Sequence, residues 1–355
     1  MPLIDQVMCA AEYSPEKHLP LLPLYATPKV DGIRFYVKQG RVWTRANKPL
    51  PNKYLRLLLP CILPEGADGE LTAAEPSDPL NFQKATTLAM GVHSDISECR
   101  ISIFDYVAAE KSVAPYCERI DSMVQWWNTR TAPTLSDGLV RPPADLDWPG
   151  EVKFLTSIGE LEHRLNLTRI QVLEALKHLR SRVTILTPTA LRKPSHPEKF
   201  LATCLAQGYE GIMLRLPSGG YKFGRSTQDE ALLLKYKPWA DSEATIVDFE
   251  ELMHNDNPES TSPTGRTVRS TSNEGKRPGG VLGSFLVRDV RSGVEFSVGG
   301  GKGLTQALRR EVWDSRETYK DAVIKYRYLE VGTKPDGLPR MPQFIGFRDQ
   351  RDMDN

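Results

Sequence analysis

Four short stretches of this sequence have the residue types and spacing to do chemistry on a phosphate. Lys29 opens Lys29-Val30-Asp31-Gly32-Ile33-Arg34, directly ahead of the apolar run Phe35-Tyr36-Val37. A lysine amine is a nucleophile once it has lost its proton, and a carboxylate and a guanidinium nearby tune how readily it does so. Lys235 and Lys237 alternate with apolar residues in Leu232-Leu233-Leu234-Lys235-Tyr236-Lys237, so on a strand they share one face. Two like charges side by side are unfavourable unless an anion lies between them, and a phosphate would serve. An exposed edge strand protected by lysines is the competing reading. Asp68-Gly69-Glu70-Leu71 places two carboxylates on one face of a strand. Glu210 stands before the apolar Ile212-Met213-Leu214, where a carboxylate is costly without a cation, Mg²⁺ or failing that lysine. Taken alone, Lys-x-Asp-Gly is equally a solvated hairpin, because Asp-Gly between β-forming segments is a common tight turn.

These residues need a scaffold of strands. From Leu24 to Thr44 the pattern predicts two or three strands, with Lys38-Gln39-Gly40-Arg41 as a hairpin turn. Asn52 to Leu59 is an amphipathic helix stopped by Pro60, a second helical stretch begins at Asn81, and Arg100 to Val107 is a strand. Pro115 opens a helix to about Asn128 with Ile120, Met123, Val124 and Trp127 as its buried face. Residues 129–150 are a polar surface excursion; Ile158–Leu167 and Ile170–Leu179 are helical, and Val183–Leu186 is a strand. A helix from Pro197 to Gln207 closes on Gly208, the residue expected at a left-handed cap. Pro238-Trp239 marks a boundary, giving domains 1–238 and 239–355. Beyond it, short strands at Glu243–Glu250, Gly283–Arg288, Val294–Val298 and Tyr326–Val331, with a helical stretch over Leu304–Lys325, have the content of an OB-fold β-barrel. Gly299-Gly300-Gly301-Lys302-Gly303 lacks the ending and spacing of a Walker loop, so it is read as a loop feeding that helix. A Ser/Thr/Pro/Gly-rich insertion occupies about 251–279, a composition usually mobile in isolation.

Composition excludes several classes. The 355 residues are 40% hydrophobic and 26% charged, which fits a soluble chain of two domains. No apolar run is long enough for a membrane span, and Met1–Ala11 has no basic leader region, so the expected place is the cytoplasm. Five scattered cysteines read as free thiols, and the histidines lack metal-ligand spacing. A net charge of +1 does not advertise a nucleic-acid binder, but the cations are clustered. Arg180, Arg182, Arg192, Lys193 and Lys199 form one group and Arg266, Arg269, Lys276 and Arg277 another, each a candidate DNA contact or an ordinary solvated surface.

In order along the chain, Lys29–Arg34, Thr44-Arg45-Ala46-Asn47, Asp68–Leu71, Phe104-Asp105-Tyr106, Glu210–Arg215 and Leu234–Pro238 resemble the motif set of the covalent nucleotidyltransferases: DNA ligases, RNA ligases and RNA-capping enzymes. Within them the chain looks most like a small, phage-type ATP-dependent DNA ligase. The resemblance implies an α+β adenylation domain with antiparallel sheets followed by the OB-fold domain. It implies Lys29 as the nucleophile that carries AMP, with Arg34, Lys235 and Lys237 on the phosphate. Arg45 would approach nucleotide and DNA, Glu70 the ribose and metal, Glu210 the metal, and Phe104 would stack on the purine. Thr27 would contact adenine. Leu338-Pro339-Arg340-Met341-Pro342-Gln343-Phe344 with Phe347-Arg348 resembles the terminal ligase motif, in which basic residues orient pyrophosphate; it departs from the commoner arginine-x-aspartate-lysine form. ATP, Mg²⁺ with Mn²⁺ as a substitute, and nicked duplex DNA follow as partners of a monomer serving replication, repair and recombination, in a bacterial host if phage-encoded. The basic insertion is expected to order on DNA. A GTP-dependent capping guanylyltransferase and an RNA ligase share the phosphate machinery. A non-catalytic nucleic-acid clamp would have no chemical need for Lys29, Glu70, Glu210, Lys235 and Lys237 together.

Overall fold

The computed structural model describes residues 6–107, 113–129, 159–261, 267–329 and 337–348. The chain divides into two units, 1–236 and 237–355.

Two five-stranded sheets build the first unit. One contains β1 (Ala11–Glu12), β2 (Leu24–Pro28), β8 (Thr189–Leu191), β9 (Ile212–Arg215) and β10 (Leu234–Tyr236), in the order β1-β10-β9-β2-β8. The other contains β3 (Ile33–Lys38), β4 (Arg41–Thr44), β5 (Ala67–Thr72), β6 (Arg100–Tyr106) and β7 (Val183–Ile185), in the order β4-β3-β5-β6-β7. Pairing is antiparallel except for β1 with β10 and β6 with β7. The hairpin at Lys38–Arg41 forms as expected: Gln39 and Gly40 take φ of 55° and 63°, the two left-handed residues such a turn needs.

Asp31-Gly32, by contrast, is not a hairpin turn. It carries the chain from β2 in one sheet to β3 in the other. The glycine is required by crowding, because a Cβ there would lie 2.2 Å from the carbonyl oxygen of Leu71 on β5.

Helices pack against both sheets. Beyond the short α1 (Pro15–His18), the helices α2 (Lys53–Ile62), α3 (Asn81–Met90), α4 (Tyr116–Thr129) and α5 (Arg169–Ser181) bring Leu55, Leu58, Leu88, Ile120, Met123 and Val172 into one core with Phe35, Leu71, Ile101 and Ile103. Each such side chain contributes about 1.5–3 kcal/mol when fully buried. Asn52 caps α2 by accepting hydrogen bonds from Tyr54 and Leu55, as its position before an apolar run suggests. Pro60 does not stop this helix; it sits within the last turn, three residues short of the C-cap at Leu63. Helix α6 (His196–Ala206) covers the other sheet through Leu201 and Cys204, and Gly208 follows with φ +85°.

The second unit is a curved sheet of β11 (Trp239–Asn255), β14 (Lys276–Asp289), β15 (Glu295–Val298), β16 (Val323–Leu329) and β17 (Arg340–Phe347), ordered β15-β14-β11-β16-β17. The barrel read from the sequence is not closed: between the two outer strands the described residues show an isolated bridge, Gly300 with Gln343, in place of a ladder. Helices α7 (Gln306–Asp314) and α8 (Arg316–Tyr319) precede β16, and Val312 joins Phe285, Val287, Ile324 and Phe344 in the core. The expected Leu304–Lys325 helix is thus shorter and broken. The glycine run before it is explained by packing, since a Cβ on Gly301 would lie 2.2 Å from the carbonyl oxygen of Phe344.

Composition misled most over the insertion. Strands β11 and β14 stay paired as far as Asn255 opposite Lys276, with three register shifts, and β12 (Glu259–Thr261) pairs with β13 (Thr267–Arg269) beyond them. Backbone pairing orders a polar segment that buries little. Residues 262–266, which include Arg266, the excursion from 130 to 150, Ile158, and Val331 at the end of the expected last strand lie outside the described residues.

Candidate active site

Lys29 sits just past the end of β2, where two backbone hydrogen bonds tie its segment to the one before β9. Its N–H donates to the Gly211 carbonyl at 2.8 Å, and the Glu210 N–H donates to the Lys29 carbonyl at 3.2 Å. This pairing brings the side chains together, and Lys29 Nζ donates to Glu210 Oε2. Glu210 is 4% exposed, so the lysine supplies the cation that a buried carboxylate at a strand mouth requires. Thr27, Met213 and Lys235 stand in one row across β2, β9 and β10. The Thr27 hydroxyl is buried with no hydrogen-bond partner in the protein.

The second sheet contributes the other half. Arg34 on β3 is in register with Glu70 on β5, and Tyr36 with Asp68. Arg34 donates through Nε and Nη2 to the two oxygens of Asp68 at 2.9 and 2.7 Å, and through Nη1 to the Met8 carbonyl at 2.6 Å. Burial works against the guanidinium charge, but Asp68 and Tyr221 more than offset it and raise its pKa above the ordinary arginine value. The Tyr221 hydroxyl donates to Asp68 at 2.8 Å and accepts from the Met8 N–H at 3.0 Å, so the segment before β1 is fastened to the same network. Burial pushes the Glu70 carboxyl up to about 7, against the pull of Lys29 and Arg34 and with a further push from Asp68.

A bulge places Phe104. Asp68 pairs with Asp105 and Gly69 with Ile103, so Phe104 is the extra residue on β6. The guanidinium carbons of Arg34 and Arg215 lie 5.1 and 5.6 Å from its ring centroid. Next to it, Asp105 and Arg119, each fully buried, share two hydrogen bonds of 2.8 and 3.0 Å. Arg119 also donates to the carbonyls of Ala114 and Gly219, and its cation holds the Asp105 carboxyl below the usual range despite burial.

Of the residues singled out from the sequence, Lys29, Arg34, Glu70, Phe104 and Glu210 are therefore gathered by direct contact or close electrostatic coupling, with Thr27 and Lys235 in the row beside them. Arg45 is exposed on the turn after β4, and Arg192 and Lys193 are exposed between β8 and α6. Lys237 is the first residue of the second unit, and Arg340 opens β17 opposite Leu329. Arg269 pairs with Glu259 and Arg277 with Asp256, while Lys276 begins β14. Left without a role by the sequence reading were Tyr221, Arg119, Glu12 and Arg215, the last residue of the Glu210–Arg215 stretch. Arg119 had a signal, a charge four residues before Met123 on the apolar face of its helix; Glu12, which meets Lys235 at 2.8 Å, had none.

No group of three or more His, Cys, Asp and Glu residues able to hold a metal occurs among the described residues. Two carboxylates by Lys29, one of them raised to about 7 by burial despite Lys29 and Arg34, fit a divalent ion that takes its remaining ligands from phosphate and water, the habit of Mg²⁺.

Residues 274–348 match the family model of a DNA ligase OB-like domain. Among solved structures, a Lig E DNA ligase described as binding DNA with a minimal scaffold is 18% identical, with 97% of this chain and 100% of that chain covered and a TM-score of 0.57. This likeness shows the fold alone, an α+β domain with mostly antiparallel sheets followed by an OB-like domain. The Chlorella virus DNA ligase-adenylate is 29% identical, covering 98% of this chain and 99% of that one, with a TM-score of 0.47. The bacteriophage T7 ATP-dependent DNA ligase is 16% identical, covering 97% and 99%, with a TM-score of 0.41. A search of curated proteins gave no match.

Proposed function

We infer that this chain is an ATP-dependent DNA ligase, which seals a 5′-phosphate to a 3′-hydroxyl through a lysyl-AMP intermediate. The observation that carries the reading is the convergence of Lys29, Glu210, Glu70, Arg34 and Phe104 in one unit of the chain. The match of residues 274–348 to a DNA ligase OB-like domain supports DNA over a capped RNA.

Chemistry begins at Lys29 Nζ. The neutral amine attacks the α-phosphorus of ATP, the bond from that phosphorus to the bridging oxygen breaks, and pyrophosphate leaves. The amine must lose a proton first. Glu210, already its hydrogen-bond partner, is placed to receive it. Arg34 and Lys235 supply fixed positive charge for the phosphoryl oxygens. Phe104 offers the purine a ring face, a contact worth roughly 1–3 kcal/mol. The 5′-phosphate of DNA then takes AMP from Lys29, and the 3′-hydroxyl displaces AMP to form the phosphodiester. Each step trades one phosphorus bond for another, so no redox partner is needed.

Mg²⁺, with Mn²⁺ able to replace it, would be held by Glu70 and Glu210 and would neutralise charge on the phosphates. Lys237 and Arg340 are assigned to the nucleotide phosphates, Thr27 to the base, and Arg45, Arg192, Lys193, Arg266, Arg269, Lys276 and Arg277 to the DNA backbone. The protein acts as a monomer on nicked duplex, in the cytoplasm. No helix among the described residues is long and apolar enough to cross a membrane.

The test is sealing of a singly nicked duplex with ATP and Mg²⁺, compared with GTP and with nicked RNA. Sealing of the DNA nick with ATP is expected. Transfer of GMP to a 5′-diphosphate RNA, without DNA sealing, would replace this reading by capping.

A further inference from the structure

Lys235 already has an anion in the protein itself. Its ammonium lies 2.8 Å from Oε1 of Glu12, a residue that precedes every motif of the reaction. The backbone around Glu12 is firmly anchored. Ala11 and Glu12 pair in parallel with Leu234 and Lys235, Ala11 N donates to Leu233 O at 3.0 Å and Tyr13 N to Lys235 O at 2.9 Å. Further back, Cys9 N donates to Gly224 O at 2.7 Å and Ser226 N to Cys9 O at 2.8 Å. Gln228 Nε2 donates to the Glu12 carbonyl at 3.1 Å. Glu12 thus faces Lys235 by construction.

Of the cations assigned above to the phosphate chemistry, Lys29, Arg34 and Lys235 each carry an acid in this structure, and the acids differ. Glu210 beside Lys29 is 4% exposed and Asp68 beside Arg34 is fully buried, whereas Glu12 is 52% exposed. A carboxylate with that much access to water loses little when its partner turns to another anion, because water takes over its solvation. A polyphosphate, with several charged oxygens, is the stronger partner for an ammonium.

We propose that Glu12 is a displaceable counter-ion for Lys235. It occupies the ammonium while no phosphate is bound and gives it up to the incoming triphosphate, so it lowers the affinity of the site for phosphate groups. The inference rests on the assignment of Lys235 to the nucleotide phosphates.

The test is a calorimetric titration of the full chain with inorganic tripolyphosphate, without metal, for the wild type, Glu12→Gln, Lys235→Met and the double variant. Glu12→Gln is expected to tighten binding by about threefold to fivefold, the range of an exposed ion pair. Its melting temperature should stay at the wild-type value, and the gain should vanish in the Lys235→Met background. Equal or weaker binding by Glu12→Gln, a gain that persists without Lys235, or no binding by the wild type would overturn the proposal. Absence of an AMP adduct from ATP in the same wild-type preparation would instead count against the ligase reading, while the titration would still report on Glu12.

Discussion

Two interior charge pairs of the first unit and two of the long hairpin in the second are made of the same residue types and differ in what surrounds them. Arg119 and Asp105 are both fully buried, and Arg34 and Asp68 are 14% and 0% exposed, each arginine forking onto both carboxylate oxygens. Arg277 and Asp256 are 63% and 57% exposed, and Arg269 and Glu259 are 40% and 60% exposed. Inside, an unpaired member would be stranded without water, so each partner is obligatory. Outside, water and salt stand in for either partner, which leaves the arginines available to a DNA backbone. Burial, more than pairing, separates residues that shape the site from residues that can change partners.

The largest effect is expected from breaking an interior pair. Arg119→Met leaves Asp105 buried beside the less well aligned Arg215, whose Nε lies 3.9 Å from it, and should cost about 3–5 kcal/mol in denaturant unfolding. A loss similar to that of a surface arginine would mean that the interior pair is no more obligatory than the exterior ones.

Glu70 sharpens the comparison, because it is half-buried near cations without a forked partner of its own. Its carboxyl is pushed from an ordinary 4.5 up to about 7, so the folded protein holds this proton more tightly than the unfolded chain does. That contribution to stability is complete below pH 4.5 and is lost as the pH rises through 7. The melting temperature of the metal-free protein is therefore expected to fall between pH 5 and 8, and to fall less in Glu70→Gln. Adenylation should rise over the same interval, since the metal needs the anion. A pH-melting curve unchanged in Glu70→Gln would show that burial does not hold the proton there.

The exterior pairs should give the smallest change in stability. Arg269→Ala and Arg277→Ala are expected to leave the melting temperature where it was, yet to weaken binding of nicked duplex and to lessen its salt dependence by about one counterion each. Unaltered DNA affinity in the double variant would remove this hairpin from the DNA interface.

Much of the site was legible because its chemistry is written in short stretches. Lys29 to Arg34, Asp68 to Glu70 and Glu210 each announce a charge beside an apolar strand, and the Gln39-Gly40 turn announces itself by a glycine, which tolerates positive φ. Asp31-Gly32 was read as the same kind of signal and was not, since its glycine answers to the carbonyl of Leu71 from a different strand. Contacts between distant segments leave no such mark. Glu12 meets Lys235 through a parallel strand pair, and Met8 meets Arg34 and Tyr221 through its backbone carbonyl and N–H, contacts that no local pattern specifies. The insertion looked loose because its residues bury little, whereas its order comes from backbone pairing of β11 with β14 and of β12 with β13, which composition does not report.

The most direct test of the account is transfer of label from α-labelled ATP onto the polypeptide, in wild type and Lys29→Ala, followed by a chase with nicked duplex. The account requires a denaturation-resistant label in the wild type that moves to DNA and is absent from Lys29→Ala. A label that persists in Lys29→Ala, or that never passes to DNA, would contradict it.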